Sequence, residues 1–246
     1  CLMAEIETFM GVSATDIEKI MGVSADDIEK AMGVELVTFD GPAYTGQTFV
    51  CFGGNTSSAA WNNVIDYKAS TSGGDASDFG DMSEAISMGS AAAGGGRAVH
   101  AGGDKSPDFT TARNEMEYIT ISSTGNSTDA GDLTVARSEG PAAAGNGTRA
   151  IWAGGYASGY NGTMDYMAIS STGGASDFGD LNNDAGLGNG SGSLTRFLHS
   201  GGYASGTIDV IDYVAFDTTG NASDFGDLVD DARSNGGGIA TEARII

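Results

Sequence analysis

The 246-residue sequence predicts an all-β protein built from four copies of one repeat and preceded by a short helical segment. Three observations lead to this fold class. The same four sequence markers occur four times in the same order, and apolar residues alternate within them as half-buried strands require. Glycine is frequent, at 40 residues, whereas proline is rare, at 3, which is typical of many short strands joined by tight turns.

The composition excludes several classes of function. The chain carries 11 basic and 33 acidic residues, a net charge of −22. Because a phosphate backbone is bound by clustered lysine and arginine, no nucleic-acid partner is expected. No apolar stretch approaches the roughly 18 residues of a membrane span, so no membrane insertion is expected. The two cysteines, Cys1 and Cys51, cannot form a disulfide framework.

Residues 1–40 are predicted to form a helical segment for attachment or oligomerisation. A Met-Gly-Val motif recurs every 11 residues, starting at positions 10, 21 and 32. Ser13 and Ser24 fit helix N-caps, with Asp16 and Asp27 closing the capping boxes, which favours short capped helices. One continuous helix is the alternative, although each interior glycine would cost about 1 kcal/mol. Because such short helices are marginal alone, we expect this segment to make the protein a homo-oligomer or to attach it to a partner.

The main repeat begins with a short apolar strand that ends in Gly-Gly, at residues 53, 102, 154 and 201, so the period is about 49 residues. A second strand follows, in which an acid precedes a tyrosine. The third marker is a Ser/Thr-Asp-x-Gly-Asp turn, and a stretch of small residues closes each unit. The acid-Tyr pairs are Asp66-Tyr67, Glu117-Tyr118, Asp165-Tyr166 and Asp212-Tyr213. The turns lie at 77–81, 128–132, 176–180 and 223–227, and the small-residue stretches at 91–96, 142–147, 188–192 and 236–240.

Each unit therefore holds about four short strands. Asn-Gly and Gly-Asn sequences at Asn146-Gly147, Asn161-Gly162 and Asn189-Gly190 indicate tight hairpin turns. A single four-stranded sheet cannot bury both of its faces, so equal sheets must pack on one another, and radial packing leaves only short edges. The sequence thus predicts a β-propeller of about four four-stranded blades over residues 41–246. Two possibilities stay open: a ring closed by the C-terminal strand, and a sequence cut from a longer array.

The order of markers resembles the kelch repeat over residues 42–246. A strand ending in Gly-Gly is followed by a strand with a tyrosine and then by a fourth strand. Kelch blades usually carry a tryptophan after the tyrosine strand, whereas Phe79, Phe178 and Phe225 stand there in this chain, with Ala130 in the second unit. The resemblance implies a kelch-like propeller in which the small-residue stretch is the innermost strand of each blade.

The 10–34 repeat, followed by blade edges such as residues 124–137, is similar to proteins of tailed bacteriophages. This resemblance implies a virion location and a structural or tail-fibre role in adhesion. The expected partners are other virion proteins or a host surface glycan. It carries over no catalytic residues. The alternative is a secreted or cell-surface bacterial propeller that binds or processes carbohydrate.

Five aromatic residues are candidates for ligand binding, because they lie in the variable segments after Gly-Gly, where rings on loops can stack on sugars. Packing of each ring against its own blade is the competing interpretation. The candidates are Trp61, Phe109, Tyr156, Tyr160 and Tyr203.

Paired aspartates in the third marker are candidate calcium ligands, since Ca²⁺ prefers carboxylate oxygens. A turn role, in which each side chain accepts a backbone N–H, is favoured, because the pattern occurs in every unit. No other cofactor is expected. The aspartates are Asp78, Asp81, Asp177, Asp180, Asp224 and Asp227, with Asp129 and Asp132 in the second unit.

Two further sets recur at fixed positions. Cys51, His100, Trp152 and His199 share one strand position and include zinc-capable side chains, although packing between blades is the favoured interpretation. The arginines that begin the Gly-Gly strands are expected to form ion pairs with the repeated acids. These arginines are Arg97, Arg149, Arg196 and Arg244. Because no cluster of reactive side chains breaks the repeat symmetry, a non-enzymatic function is predicted.

Overall fold

The computed structural model describes residues 48–55, 61–70, 73–105 and 111–229. Within these ranges the protein is all-β, with 17 strands in five antiparallel sheets, as the sequence predicts. The predicted helical segment, residues 1–40, lies outside the described residues and stays a prediction. The described ranges contain no helix that is long and apolar enough to cross a lipid bilayer.

The strands form four large sheets and one small one. Sheet 1 consists of β1 (Thr48–Asn55), β2 (Trp61–Ala69) and β3 (Ser77–Asp81). Sheet 2 consists of β5 (Ser90–Gly94), β6 (Arg97–Ala101), β8 (Arg113–Thr120) and β9 (Thr128–Arg137). Sheet 3 consists of β10 (Ala142–Gly145), β11 (Arg149–Ala153), β12 (Thr163–Ala168) and β13 (Ser176–Asp180). Sheet 4 consists of β14 (Asn189–Gly192), β15 (Arg196–Ser200), β16 (Val210–Ala215) and β17 (Ser223–Asp227). The small sheet pairs β4 (Ile86–Ser87) with β7 (Asp104–Lys105).

Sheets 2 to 4 each follow the chain in order, so the sequence markers map onto successive strands. The small-residue stretch is the first strand, the Gly-Gly strand the second, the acid-Tyr strand the third and the Ser/Thr-Asp-x-Gly-Asp segment the fourth. All four large sheets carry a bulge directly before the repeated acid, for example between Met164 and Asp165. The glycine opposite each bulge has a positive φ, such as 137° at Gly179, which is why the marker requires glycine there.

The first strands of sheets 2, 3 and 4 pack directly on one another, β5 against β10 and β10 against β14. Their side chains are small because the backbones approach closely. A β-carbon on Gly145 would lie 2.8 Å from the carbonyl oxygen of Ala93, and one on Gly190 would lie 2.5 Å from the backbone nitrogen of Ala143. Gly190 therefore lies inside β14, so the prediction of a hairpin turn at Asn189-Gly190 is wrong. Asn146-Gly147 does form the turn between β10 and β11.

Three hydrophobic clusters fill the spaces between consecutive sheets. The first joins Ile65 and Phe79 of sheet 1 to Ala98 and Ile119 of sheet 2. The second lies between sheets 2 and 3 around the fully buried Trp152, and the third between sheets 3 and 4 around Phe178. The core is thus divided among the contacts between neighbouring sheets, since a single sheet has no apolar interior of its own.

The same set of hydrogen bonds joins each sheet to the next, and we call this set the sheet junction. The fourth strand offers two carbonyl oxygens to amides in a turn of the next sheet, and the repeated acid of that next sheet accepts the amide two residues after the second aspartate of the fourth-strand marker. Between sheets 1 and 2, the bonds are Gly125 N to Phe79 O (2.7 Å), Ser127 N to Asp81 O (2.9 Å) and Ser83 N to Glu117 Oε1 (3.2 Å). Between sheets 2 and 3, they are Gly174 N to Ala130 O (2.9 Å), Ala175 N to Asp132 O (2.8 Å) and Thr134 N to Asp165 Oδ2 (3.3 Å). Between sheets 3 and 4, they are Gly220 N to Phe178 O (2.7 Å), Ala222 N to Asp180 O (2.8 Å) and Asn182 N to Asp212 Oδ2 (3.1 Å).

Candidate functional site

Three of the five aromatic candidates come together in one place. The ring centroids of Tyr156 and Tyr160 are 5.2 Å apart, and those of Tyr160 and Tyr203 are 5.5 Å apart. Trp61 instead begins β2 and is buried, with 8% of its surface exposed, so its predicted place on a binding loop is wrong. Phe109 lies outside the described residues.

These tyrosines come from two repeats, and backbone pairing brings them to one edge of the sheets, next to the residues that precede β10 and β14. The residue after each Gly-Gly pairs with a residue just before the next small-residue strand. Tyr156 exchanges two backbone hydrogen bonds with Ser138, at 2.8 and 2.9 Å, and Tyr203 exchanges two with Gly186, at 3.0 and 2.8 Å. Because Ser138 and Gly186 precede neighbouring strands of the packed sheets, the two tyrosine loops lie side by side.

Three residues in a strained backbone conformation complete this edge. Met88, Glu139 and Leu187 have φ values of 58°, 55° and 57° and are the only non-glycine residues with positive φ in the described ranges. They occupy the same position in three repeats and are linked by backbone bonds, from Gly140 N to Met88 O and from Leu187 N to Glu139 O, both 2.9 Å. Such conformations cost about 1 to 3 kcal/mol each and cluster at functional sites.

These residues line a cavity of about 460 Å³, which we call the tyrosine pocket. Its walls are Met88, Glu139, Gly140, Tyr160, Leu187 and Tyr203. Met88 and Tyr203 are 42% and 37% exposed, so the pocket opens to solvent. The volume lies within the roughly 300 to 1,000 Å³ range of small-molecule sites.

The polar chemistry of the pocket comes from one pair of side chains. The Tyr160 hydroxyl donates a hydrogen bond of 2.9 Å to Oε2 of Glu139. Burial, together with the bond to the Glu139 carboxylate and its negative charge, raises the pKa of Tyr160 to about 12. The phenol therefore stays neutral and keeps donating, and Glu139 retains Oε1, which accepts no hydrogen bond from the described residues.

The Tyr160–Glu139 pair breaks the repeat symmetry, so the premise of the non-enzymatic prediction, that no reactive cluster does so, is wrong. The position of Tyr160 is Thr207 in sheet 4, and that of Glu139 is Met88 or Leu187 in the neighbouring repeats. Sequence reasoning found the tyrosines but missed Met88, Glu139 and Leu187. The sequence signal that could have identified these three residues is a large side chain directly before a glycine, just ahead of each small-residue strand.

The paired aspartates lie in the fourth strand of each sheet and not in a turn, so the favoured turn role is wrong as to place, and an aspartate side chain accepts a nearby amide only at the first position. The first aspartate accepts the amide two residues on, at 2.7 Å from Asp129 to Gly131, 3.0 Å from Asp177 to Gly179 and 2.8 Å from Asp224 to Gly226. The second aspartates, including Asp132 and Asp180, enter the sheet junction through their carbonyl oxygens. Among the described residues no three His, Cys, Asp or Glu side chains are grouped as metal ligands, so Asp78, Asp81, Asp177, Asp180, Asp224 and Asp227 gain no third protein carboxylate. Two carboxylates supply fewer oxygens than the six to eight that calcium takes.

The strand position shared by Cys51, His100, Trp152 and His199 holds a buried packing residue in sheets 2, 3 and 4. His100, Trp152 and His199 are buried, at 5%, 0% and 2% exposure, whereas Cys51 is exposed. Burial lowers the pKa of His100 and of His199 to about 4, so both imidazoles are neutral.

The predicted ion pairs between repeated arginines and repeated acids are wrong. Each arginine lies over the tyrosine of its own sheet, with its guanidinium carbon 4.2 Å from the ring of Tyr118, 4.6 Å from Tyr166 and 4.9 Å from Tyr213 for Arg97, Arg149 and Arg196. The acids accept backbone amides of the preceding sheet instead. Alternation explains the difference, since an acid and the adjacent tyrosine point to opposite faces of one strand. Arg244 lies outside the described residues.

Only one ion pair in the described ranges is fully buried, that of Arg137 with Asp165. Arg137 also donates to the carbonyl oxygens of Thr163 (2.7 Å) and Gly154 (3.2 Å), and Asp165 accepts from the Thr134 hydroxyl. Burial raises the pKa of Asp165 and lowers that of Arg137, which is the direction expected for charges removed from water. Both side chains are satisfied and closed to solvent, so this pair ties sheets 2 and 3 together.

Comparison with known proteins adds no assignment: no protein-family model matches the chain, and no curated protein is similar to it. The functional conclusion therefore depends on the tyrosine pocket and the repeat architecture.

Proposed function

We propose that this chain is a non-enzymatic binding and display protein, a structural or fibre component of a phage virion, that holds a saccharide in the tyrosine pocket. The observation that carries the binding role is the strained, asymmetric edge at which Glu139 and Tyr160 meet the apolar side chains of Met88 and Leu187. Strain of this kind is retained where it serves a site.

The chemistry of the pocket suits a sugar ring. Tyr203 is partly exposed and offers an aromatic face to the C–H groups of a pyranose. The Glu139 carboxylate can accept from sugar hydroxyls, since Tyr160 occupies only one of its oxygens. Among the described residues Glu139 is the one carboxylate that lines the pocket, whereas most glycoside hydrolases use a pair of them. This composition supports binding without turnover.

The proposed architecture is a kelch-like propeller in which the four large sheets are blades. Two features support it: three successive sheet junctions with the same bonds, and small-residue first strands that pack on one another. Sheets 2 and 3 each bury both faces against neighbouring sheets, as the blades of a radial array do. The tyrosine pocket would then lie at the end of the blades where the first strands begin.

The virion assignment is supported by the sequence resemblance of residues 10–34 and of the repeat edges to tailed-phage proteins. In this arrangement the N-terminal segment attaches the protein and the sheets display the pocket. Mass spectrometry of purified particles should then recover peptides of this chain.

The pocket is tested by a glycan array with the full chain, followed by titration of any hit. Tyr203→Ala should weaken binding by roughly tenfold or more, because it removes the stacking face. Glu139→Gln should weaken it less, because the amide keeps an acceptor oxygen but loses the charge. Leu194→Ala is the matched control, since Leu194 is similarly exposed, at 44%, and does not line the pocket. Absence of any glycan binding at micromolar concentration, or equal binding by Tyr203→Ala, would refute the proposal.

A further inference from the structure

Within the described residues, sheets 1 and 4 each carry one half of the sheet junction without the other half. The junction occurs three times inside the chain, so its geometry is known in detail. A fourth strand supplies two carbonyl oxygens and one amide, and the next sheet supplies two turn amides and one acid.

Sheet 4 carries the fourth-strand half of this arrangement, with two carbonyl acceptors and one amide donor. Phe225 is 54% exposed, whereas Phe79 and Phe178 at the same position are 3% and 2% exposed. Val229, which follows in the position of Ser83 and Asn182, is fully exposed. Gly226 keeps the positive φ of its counterparts, 129°, yet a β-carbon there would contact nothing within 4 Å. At Gly179 a β-carbon would overlap the Gly220 carbonyl of the next sheet. Gly226 of sheet 4 has the same backbone conformation, which would let a neighbouring turn pack equally closely, although no described residue lies there.

Sheet 1 carries the complementary half. Its turn, residues 74–77, reads Gly-Asp-Ala-Ser and corresponds to Gly-Asn-Ala-Ser at 220–223. Asp75 can accept an amide as Asn221 does, whose Oδ1 is 3.1 Å from the nitrogen of Asp180. Asp66, the repeated acid of sheet 1, is exposed, whereas Asp165 and Asp212 are buried. Phe49 is 62% exposed at the position where Phe197 is 1% exposed.

We propose that a second copy of this chain docks head to tail on the first, so that its sheet 1 forms a sheet junction with the exposed edge of sheet 4. In this interface, the amides of Gly74 and Ala76 donate to the carbonyl oxygens of Phe225 and Asp227, and Asp66 accepts the amide of Val229. The partner is a second copy because the missing half of each end is present on the same sequence. Among the described residues no hydrogen bond or core cluster joins sheet 1 to sheet 4. An interface between two different surfaces of one chain is heterologous and forms rings or filaments.

The test uses two variants of the full chain, each with one damaged half. Phe225→Asp places a charge in the edge of sheet 4, and Asp66→Lys removes the acceptor from sheet 1. Light scattering over a concentration series should show self-association of the parent and a loss of association of roughly tenfold or more in each variant alone. An equimolar mixture should form a dimer and nothing larger, since each variant keeps the half that the other lacks. This rescue also shows that both variants are folded.

Asp217→Lys is the matched control, because Asp217 is an exposed acid in a turn outside both halves. It should associate as the parent does. A parent that stays monomeric would overturn the proposal in favour of closure within one chain. Variants that associate as the parent does would also overturn it, since another segment, such as residues 1–40, would then carry the assembly. A mixture that forms no dimer would overturn the head-to-tail geometry.

Discussion

His100 and His199 occupy the same strand position in sheets 2 and 4, and both are buried. A β-carbon on Gly89 would overlap the ring of His100, and one on Gly188 would overlap the ring of His199. Each imidazole therefore fills the space left by a glycine in the loop before its sheet. Nε2 of His199 is buried and has no hydrogen-bond partner among the described residues, so protonation there would place an unpaired charge in the core.

This environment predicts a loss of stability in mild acid. The pKa of each histidine is about 4 in the folded protein and 6.5 when unperturbed, so between these pH values the unfolded chain binds more protons. The free energy of unfolding should fall as the pH falls through this window, by roughly 1 kcal/mol per pH unit for each histidine, and the histidine contribution should fade within about one pH unit above 6.5.

Urea unfolding at a series of pH values measures this slope. His100→Gln and His199→Gln should each remove their share of it between about pH 5 and 6.5, a range in which most carboxylates remain ionised. The variants lose stability at neutral pH as well, so the comparison is of slopes. A variant that keeps the full slope would show that the histidine is not the group that titrates.

Residue-level chemistry was only partly accessible from the sequence. The local hydrogen bond of Asp177 was predictable from the recurrence of that aspartate in every unit, and the packing role of His100 from the strand position that it shares with Trp152. The stacking of Arg97 over Tyr118 was missed, because the sequence favours an ion pair with the repeated acid, and strand alternation places Glu117 on the opposite face from Tyr118. The sequence shows which residue types are present, whereas the bulge and the pleat of the strand determine which side chains come into contact.

The close packing of the first strands β5, β10 and β14 restricts which side chains these strands can carry. Gly190 in β14 has an ordinary negative-φ strand backbone, so its requirement for glycine comes from the neighbouring strand and not from its own conformation. A β-carbon would lie 2.5 Å from the backbone nitrogen of Ala143, and backbone cannot move aside as a side-chain tip can.

Gly190→Ala should therefore destabilise the protein by about 1 to 3 kcal/mol, the usual cost of overpacking. Gly159→Ala is the matched control, because a β-carbon at Gly159 meets nothing within 4 Å and its φ is not positive. It should leave the free energy of unfolding unchanged or raise it slightly. Thermal and urea unfolding of both variants provide the comparison, and equal stabilities would show that β10 and β14 are not in contact.

The strands themselves could be predicted because each marker is a local pattern repeated four times. The tyrosine pocket could not, because it joins Tyr160, Glu139 and Tyr203 from different repeats through pairings such as Tyr156 with Ser138. No spacing along the chain encodes that pairing. The error at Asn189-Gly190 has the same origin, since the glycine serves a neighbouring strand and not a turn.

At the scale of the whole molecule, the sheet junction explains why the repeat has its particular markers. The Gly of the turn, the second aspartate of the fourth strand and the acid before tyrosine all take part in one set of bonds between sheets. The markers therefore occur in the same order in each repeat because each sheet forms the same hydrogen bonds with the next sheet. Among the described residues, the outer faces of sheets 1 and 4 expose the two halves of the same contact.

Amide hydrogen exchange at single-residue resolution tests this account most directly. The junction donors lie in surface turns, where an amide without a partner exchanges within seconds or faster, and their bonds to the preceding sheet should slow them strongly. These donors are Gly125, Ser127, Gly174, Ala175, Gly220 and Ala222. Gly74 and Ala76, the matching amides of sheet 1, should exchange fast in the Phe225→Asp variant at low concentration. Protection of the six donors together with fast exchange at Gly74 and Ala76 is the predicted result, whereas fast exchange at all eight amides would contradict the sheet junction.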